Sequence, residues 1–284
     1  LQSNGSVDNR LIKHNDGTIS ASWTYSNEYA NSFLDRGTGY NYFDGTSWGT
    51  NPTARLESSR GGWPSILTTG SGKEIIISHN NDSSTLQMTH RPQKGNGNWI
   101  EETINTSIPN WTLWPRAVIG GANNESIHLI GTALGNYKGL SRALLYYRSQ
   151  DGGLTWDILD MQLPTLDSTK YTQFNADNYS IDAKGDTVVV AYFGQLDDSV
   201  ILKSTDNGNT WTKTVFLDFP VDRYVFDSGI DLDFDGVYDT VYTTDGVGSV
   251  ILDNNGSAHV FFGNYKILDA DLSDAGYSWF LNTN

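Results

Sequence analysis

The densest run of chemistry-bearing residues is Asp231-Leu232-Asp233-Phe234-Asp235-Gly236-Val237-Tyr238-Asp239. Carboxylates at loop positions 1, 3, 5 and 9, with glycine at position 6, follow the ligand rule for a hard cation. Alternate side chains converge on one point, and the glycine permits the sharp turn. Position 7, Val237, would add its backbone carbonyl. Carboxylates crowded this closely repel one another unless a cation neutralises them. The spacing therefore predicts Ca2+ held by Asp231, Asp233, Asp235, Val237 and Asp239, bracing the loop rather than catalysing a reaction. A solvated acidic loop is the alternative. The flanks, Val225-Phe226 and Thr240-Val241-Tyr242, read as strand, and Tyr242 stands where a helical EF-hand carries its bidentate glutamate.

The elements that would position such groups are hairpins. An apolar strand, a short Gly or Asn turn and a β-branched or aromatic strand recur five times. The turns are Asp16-Gly17, Ser71-Gly72, Asn123-Asn124, Lys184-Gly185 and Asn255-Gly256. Their spacing, roughly 50–70 residues, suits repeated propeller blades. Second hairpins lie between these. Two of them carry the same turn, Ser149-Gln150-Asp151-Gly152-Gly153-Leu154-Thr155-Trp156 and Ser204-Thr205-Asp206-Asn207-Gly208-Asn209-Thr210-Trp211. Both read S-x-D-x-G-x-T-W. The aspartate can accept turn amides, the glycine takes a positive φ, and the tryptophan can pack beneath the turn. Phe43-Asp44-Gly45-Thr46-Ser47-Trp48 is a weak echo, and Gly95-Asn96-Gly97-Asn98-Trp99 has the wrong spacing. No stretch shows a sustained helical period.

The repeated turn resembles the Asp-box of the sialidase-like (BNR-repeat) β-propellers, and the acidic loop resembles the calcium loops of integrin-like propellers. The resemblance implies an all-β protein, a β-propeller of four-stranded antiparallel blades. Five blades are visible, and six are expected in the complete protein, with five or seven as alternatives. Residues 1–284 read as one such domain, incomplete at its C-terminal end, because no second hairpin follows Phe262. Leu1 opens no signal peptide, so the chain reads as a mature or excised piece, with further domains or segments as possible partners.

In propellers the ligand sits at the central mouth. There the resemblance puts Arg60, Trp63, His79, Trp114, Arg116, Asp177, Tyr179 and Tyr192. Trp63-Pro64 and Trp114-Pro115-Arg116 open matching strands, where packing between blades is the plainer role for the aromatics. His79 and His128 read more simply as satisfied strand histidines. Sialidase chemistry would require three arginines, a tyrosine nucleophile with an activating glutamate, and an aspartic acid/base. Here the last glutamate is Glu125, the only arginine beyond Arg148 is Arg223, and Arg10-Leu11-Ile12 replaces the family's R-I-P. The reading favours a glycan- or protein-binding module over catalysis. A glycoside hydrolase or a polysaccharide lyase using His, Tyr and Arg at the mouth is the alternative.

Composition narrows the partners. A net charge of −15 disfavours nucleic acid and anionic membranes, and suits cations and neutral or cationic ligands. There is no cysteine, hence no disulfide or thiolate chemistry, and no apolar run of transmembrane length. The Ser/Thr/Asn/Gly-rich, lysine-poor character suits a secreted or surface-exposed bacterial protein.

Overall fold

The computed structural model describes residues 9–29, 33–82, 85–106 and 112–281. The described residues form strands and loops and no helix. The first sheet holds β1 (Leu11–Lys13), β2 (Ile19–Tyr25) and β3 (Gly37–Phe43). The second holds β4 (Gly61–Thr68), β5 (Glu74–Asn80), β6 (Leu86–Arg91) and β7 (Ile100–Ile104). The third holds β8 (Thr112–Gly120), β9 (Ser126–Tyr137), β10 (Leu140–Ser149) and β11 (Ile158–Gln162). The fourth holds β12 (Tyr179–Lys184), β13 (Thr187–Tyr192), β14 (Ser199–Ser204) and β15 (Thr212–Leu217). The fifth holds β16 (Val241–Leu252), β17 (Ala258–Leu268) and β18 (Ser278–Leu281). Within each sheet the strands run antiparallel in chain order.

First strands pack on first strands of the next sheet: β1 on β4, β4 on β8, β8 on β12 and β12 on β16. Their neighbours fill the core between blades. In β5, Ile75, Ile76 and Ile77 are fully buried, which is why that strand reads as a continuous apolar run rather than an alternation. Leu129, Leu144, Tyr147 and Val190 continue the same core through the third and fourth sheets.

The two S-x-D-x-G-x-T-W segments are the β10–β11 and β14–β15 turns. In each, the serine hydroxyl accepts the glycine N–H at 2.8 Å, Gly153 to Ser149 and Gly208 to Ser204. The aspartate accepts the threonine N–H at 2.8 Å and the threonine hydroxyl at 2.6 Å in both turns. The glycine also lets the turn dock on the preceding hairpin. A Cβ on Gly208, at φ +83°, would lie 2.1 Å from the Tyr146 hydroxyl, and one on Gly153 2.7 Å from Met88 Sδ.

Three expectations need correction. Among the described residues, four strands form only in the middle three sheets. In the first, Trp48 packs on Phe43 at 5.6 Å and closes a tight turn. Glu57 is then drawn inward, accepting the Thr38 N–H at 2.7 Å and the Ser78 hydroxyl at 3.0 Å, so the chain crosses to the second sheet instead of adding a strand. In the fifth, a further strand does follow β17, since Trp279 and Phe280 pair with Ile267 and Lys266. Finally, Val225-Phe226 is loop and not strand. The stretch from 218 to 240, broken by Pro220 and rich in Asp, is a long connection rather than a hairpin. Phe219, Tyr224 and Ile230 pin it to Val241 and Ile267.

Candidate functional site

The starts of the first strands converge at one end, together with the loops that follow the second strands. The repeated serine–aspartate turns lie at the other end. Two matching irregularities mark this mouth. Pairing of β4 with β5 shifts between Gly62 and Ser65, and that of β8 with β9 between Leu113 and Arg116. Trp63 and Trp114 occupy these bulges at φ +53° and +54°. A bulky residue ahead of proline is strained there, by about 1–3 kcal/mol, and bulges of this kind re-aim side chains. The Trp63 ring stacks on His79 at 5.2 Å and meets Trp114 edge-on at 6.5 Å.

His79 is buried, and its Nδ1 accepts the Trp114 N–H at 3.3 Å. Burial, followed by the charge of Arg36, lowers its pKa to about 3, so the ring is neutral at physiological pH. Arg36 and His79 both flank Gly62, where an added Cβ would stand 3.4 Å from Arg36 Nε and from His79 Nε2. Neutral acceptors hold Arg36: its Nε donates to the Gly61 carbonyl at 2.8 Å and its Nη2 to Asn81 Oδ1 at 2.6 Å. Arg60 lies close enough to depress the Arg36 pKa further, after burial, and its own Nε donates to the Phe33 carbonyl at 3.1 Å.

Arg10 opens the first strand at the same end. All three guanidinium nitrogens are buried and without a hydrogen-bond partner. Burial, and then the neighbouring charge of Arg116, lowers its pKa to about 10. It remains a cation at neutral pH, with five donor positions unspent. Sequence reading set Arg10 aside as a broken motif and did not single out Arg36. The available signal was positional, since each stands at the mouth end of a strand.

The other expected mouth residues have different fates. Arg116 is fully buried and ties the third blade to the fourth, donating to the Tyr179 carbonyl and, at 3.0 Å, to that of Ala176. Tyr179 is equally buried: it donates to the Trp114 carbonyl at 2.7 Å and accepts from Thr132 at 3.1 Å. Both brace the mouth rather than face it. Asp177 is half-buried just before β12. Tyr192 ends β13 and donates to Asp197 Oδ2 at 3.3 Å. Asp197, which sequence reading missed, has its pKa raised to about 6, chiefly by burial and also by Asp198 and Asp222.

The acidic loop lies in the connection from β15 to β16, at the mouth end. Asp231, Asp233 and Asp239 each present a carboxylate oxygen, all within 4.8 Å of one another. Asp231 Oδ1 is buried and lacks a partner. The turn is held by Gly236 N–H donating to Asp231 Oδ2 at 3.0 Å and Leu232 N–H to Asp239 Oδ2 at 2.7 Å. Gly236 takes φ +85°, the positive φ that its place in the turn predicts. Three converging carboxylates with an orphaned oxygen fit a hard divalent cation. Asp235 is not in that group: its Oδ1 accepts the Val237 N–H at 2.8 Å, and Val237 is exposed.

The chain matches no known sequence family and no functionally characterised relative. Its structure is similar to others. The NanB sialidase of Streptococcus pneumoniae superposes with a TM-score of 0.53 at 12% identity, over 99% of this chain and 62% of NanB. The GH93 α-L-arabinofuranosidase of Fusarium graminearum gives 0.55 at 14% identity, over 96% of this chain and 79% of that one. The fold is that of the sialidase-like β-propellers. Hz136, a Hadza microbial sialidase, gives 0.50 at 10% identity, over 95% of this chain and 56% of its own. The chain thus spans about three fifths of the length of these two sialidases.

Proposed function

We propose that the protein is a glycan-binding β-propeller of the cell exterior, which takes an acidic polysaccharide across its mouth and is braced by Ca2+. One observation carries the reading: the Arg10 guanidinium, buried and unpaired, stands at the same mouth as Arg36 and Arg60 in a protein of net charge −15. An unpartnered buried cation is costly, and an anionic group at the mouth would offset its charge together with those of Arg36 and Arg60. Trp63 and Trp114, held by strained backbone beside these arginines, offer apolar faces to sugar rings. The structural neighbours include a sialidase and an arabinofuranosidase, which agrees with a carbohydrate ligand. Ca2+ would be held by Asp231, Asp233 and Asp239, and would supply positive charge that relieves their repulsion and stiffens the connection into β16. The Ser/Thr/Asn/Gly-rich, lysine-poor composition agrees with an extracellular site.

Calorimetric titration with oligogalacturonate and with sulfated oligosaccharides tests this. Saturable binding that weakens with salt, and that falls at least tenfold in Arg36→Ala, is expected. Equal affinity of wild type and Arg36→Ala for every anionic glycan tried would refute it. A catalytic reading has one observation in its favour, the Asp197 carboxyl with its raised pKa beside Tyr192. Reducing-sugar and unsaturated-uronate assays on the same samples separate turnover from binding.

A further inference from the structure

A cavity opens at the mouth, on the side away from Arg10, Arg36 and Arg60. It encloses about 330 Å³ between the segment before β12, the end of β13 and the connection that carries the acidic loop. That is the small end of the range for ligand sites, roughly 300–1,000 Å³. Half of its polar lining is carboxamide, Gln173, Asn175, Asn178 and Gln195, beside the Asp197 carboxyl and the hydroxyls of Thr172, Tyr192 and Tyr224.

The protein uses one end of each amide and leaves the other. Asn175 Oδ1 accepts from Arg142 Nη1 at 2.8 Å, and Gln173 Oε1 accepts from the Ser141 hydroxyl at 3.2 Å. The opposite ends of these two, both N–H donors, are left over. Asn178 Nδ2 donates to the Phe193 carbonyl at 2.9 Å, and Gln195 Nε2 donates to the Asp245 carbonyl at 3.0 Å. These two keep carbonyl oxygens as acceptors. Asp197 Oδ2 takes the Tyr192 hydroxyl, leaving Oδ1. The cavity therefore offers fixed donors and fixed acceptors in similar number. Phe226 forms an apolar wall, 45% exposed, and its ring is held by stacking on Tyr277 at 5.7 Å and 8°.

We infer that this cavity is a subsite for an uncharged sugar unit, whose hydroxyls both donate and accept and whose C–H face lies on Phe226. The inference rests on reading the mouth as a glycan-binding face, but it uses other residues. An anionic unit is disfavoured, since Asp197, Asp198 and Asp222 lie together on this side. The acidic polysaccharide that suits the mouth is then one that alternates charged and neutral sugars: its charged unit over Arg36 and Arg60, its neutral unit against Phe226.

Side-chain amide NMR of the full chain, titrated with neutral gluco-, galacto-, manno- and fuco-oligosaccharides, tests it. At least one should shift the Asn175 and Gln195 amide signals. Phe226→Ala should weaken that binding tenfold or more. Neutral binding that persists when oligogalacturonate fails to bind supports the subsite and refutes only the anionic reading. The subsite is overturned if no neutral oligosaccharide at millimolar concentration moves those amides, or if Phe226→Ala binds as tightly as wild type.

Discussion

At the residue scale, the mouth is defined by side chains whose chemistry burial has altered. Asp197 gives the sharpest test. An acid whose pKa rises on folding holds its proton more tightly in the folded state. Below the unfolded value of 3.8 the group is protonated in both states and costs nothing. As pH climbs from there through about 6, the folded state alone resists ionisation and stability falls. Asp197→Asn removes the ionisation and keeps an acceptor for Tyr192. Urea unfolding should therefore find the variant about 1–3 kcal/mol more stable than wild type at pH 8, and nearly equal to it at pH 4. An identical difference at both pH values would show that Asp197 is not held in this way. None of this was legible in the sequence, where Asp197 is one acidic residue among 33 Asp and Glu. Burial and neighbours set its pKa, and they come from the β13–β14 loop and the distant 218–240 connection. Arg10 was visible only as a departure from a motif, because a missing partner is a property of three-dimensional surroundings.

At the element scale, the hairpins were legible almost residue by residue. Turn chemistry is local, and Asp-Gly, Ser-Gly, Asn-Asn, Lys-Gly and Asn-Gly sit where the chain reverses. The serine–aspartate turns add something that was not legible: their glycines are seats for the preceding hairpin. Ser204→Ala should cost about 1–3 kcal/mol, because it strands the buried Gly208 N–H. Gly208→Ala should cost more, since it combines a positive φ with a clash on Tyr146. Equilibrium unfolding ranks the two, and the reverse order would remove the docking role. The strand read at Val225-Phe226 failed for a complementary reason. Two adjacent apolar residues suggested a strand, but tertiary contacts use Tyr224 and Ile230 to pin a loop, and leave Val225 exposed.

At the scale of the whole molecule, the mouth is electrically divided. Arg10, Arg36 and Arg60 lie on the first two blades. Asp197 and Asp222 lie with the carboxylates of the acidic loop on the fourth and the connection to the fifth. Net charge concealed this division and pointed away from anionic ligands. The acidic loop and the cavity wall belong to the same 218–240 connection, so Ca2+ should act on both. Calcium at a hundred times its dissociation constant should stabilise the fold by about 2.7 kcal/mol, seen as a rise in Tm that EDTA reverses and Asp231→Asn abolishes. It should also tighten any ligand held against Phe226. A melting curve indifferent to calcium and to EDTA would sink the metal site.

The sequence by itself determined most of the strands, the turns, the blade phase and the carboxylate spacing of the acidic loop. Each of these is written in neighbours a few residues apart, through side-chain alternation, φ preference and turn hydrogen bonds. Only the tertiary structure decided which arginine lacks a partner, which carboxyl resists ionisation, which amide ends remain unspent and which aspartates converge. Those properties depend on groups brought together from different blades, and on the water that their packing removes.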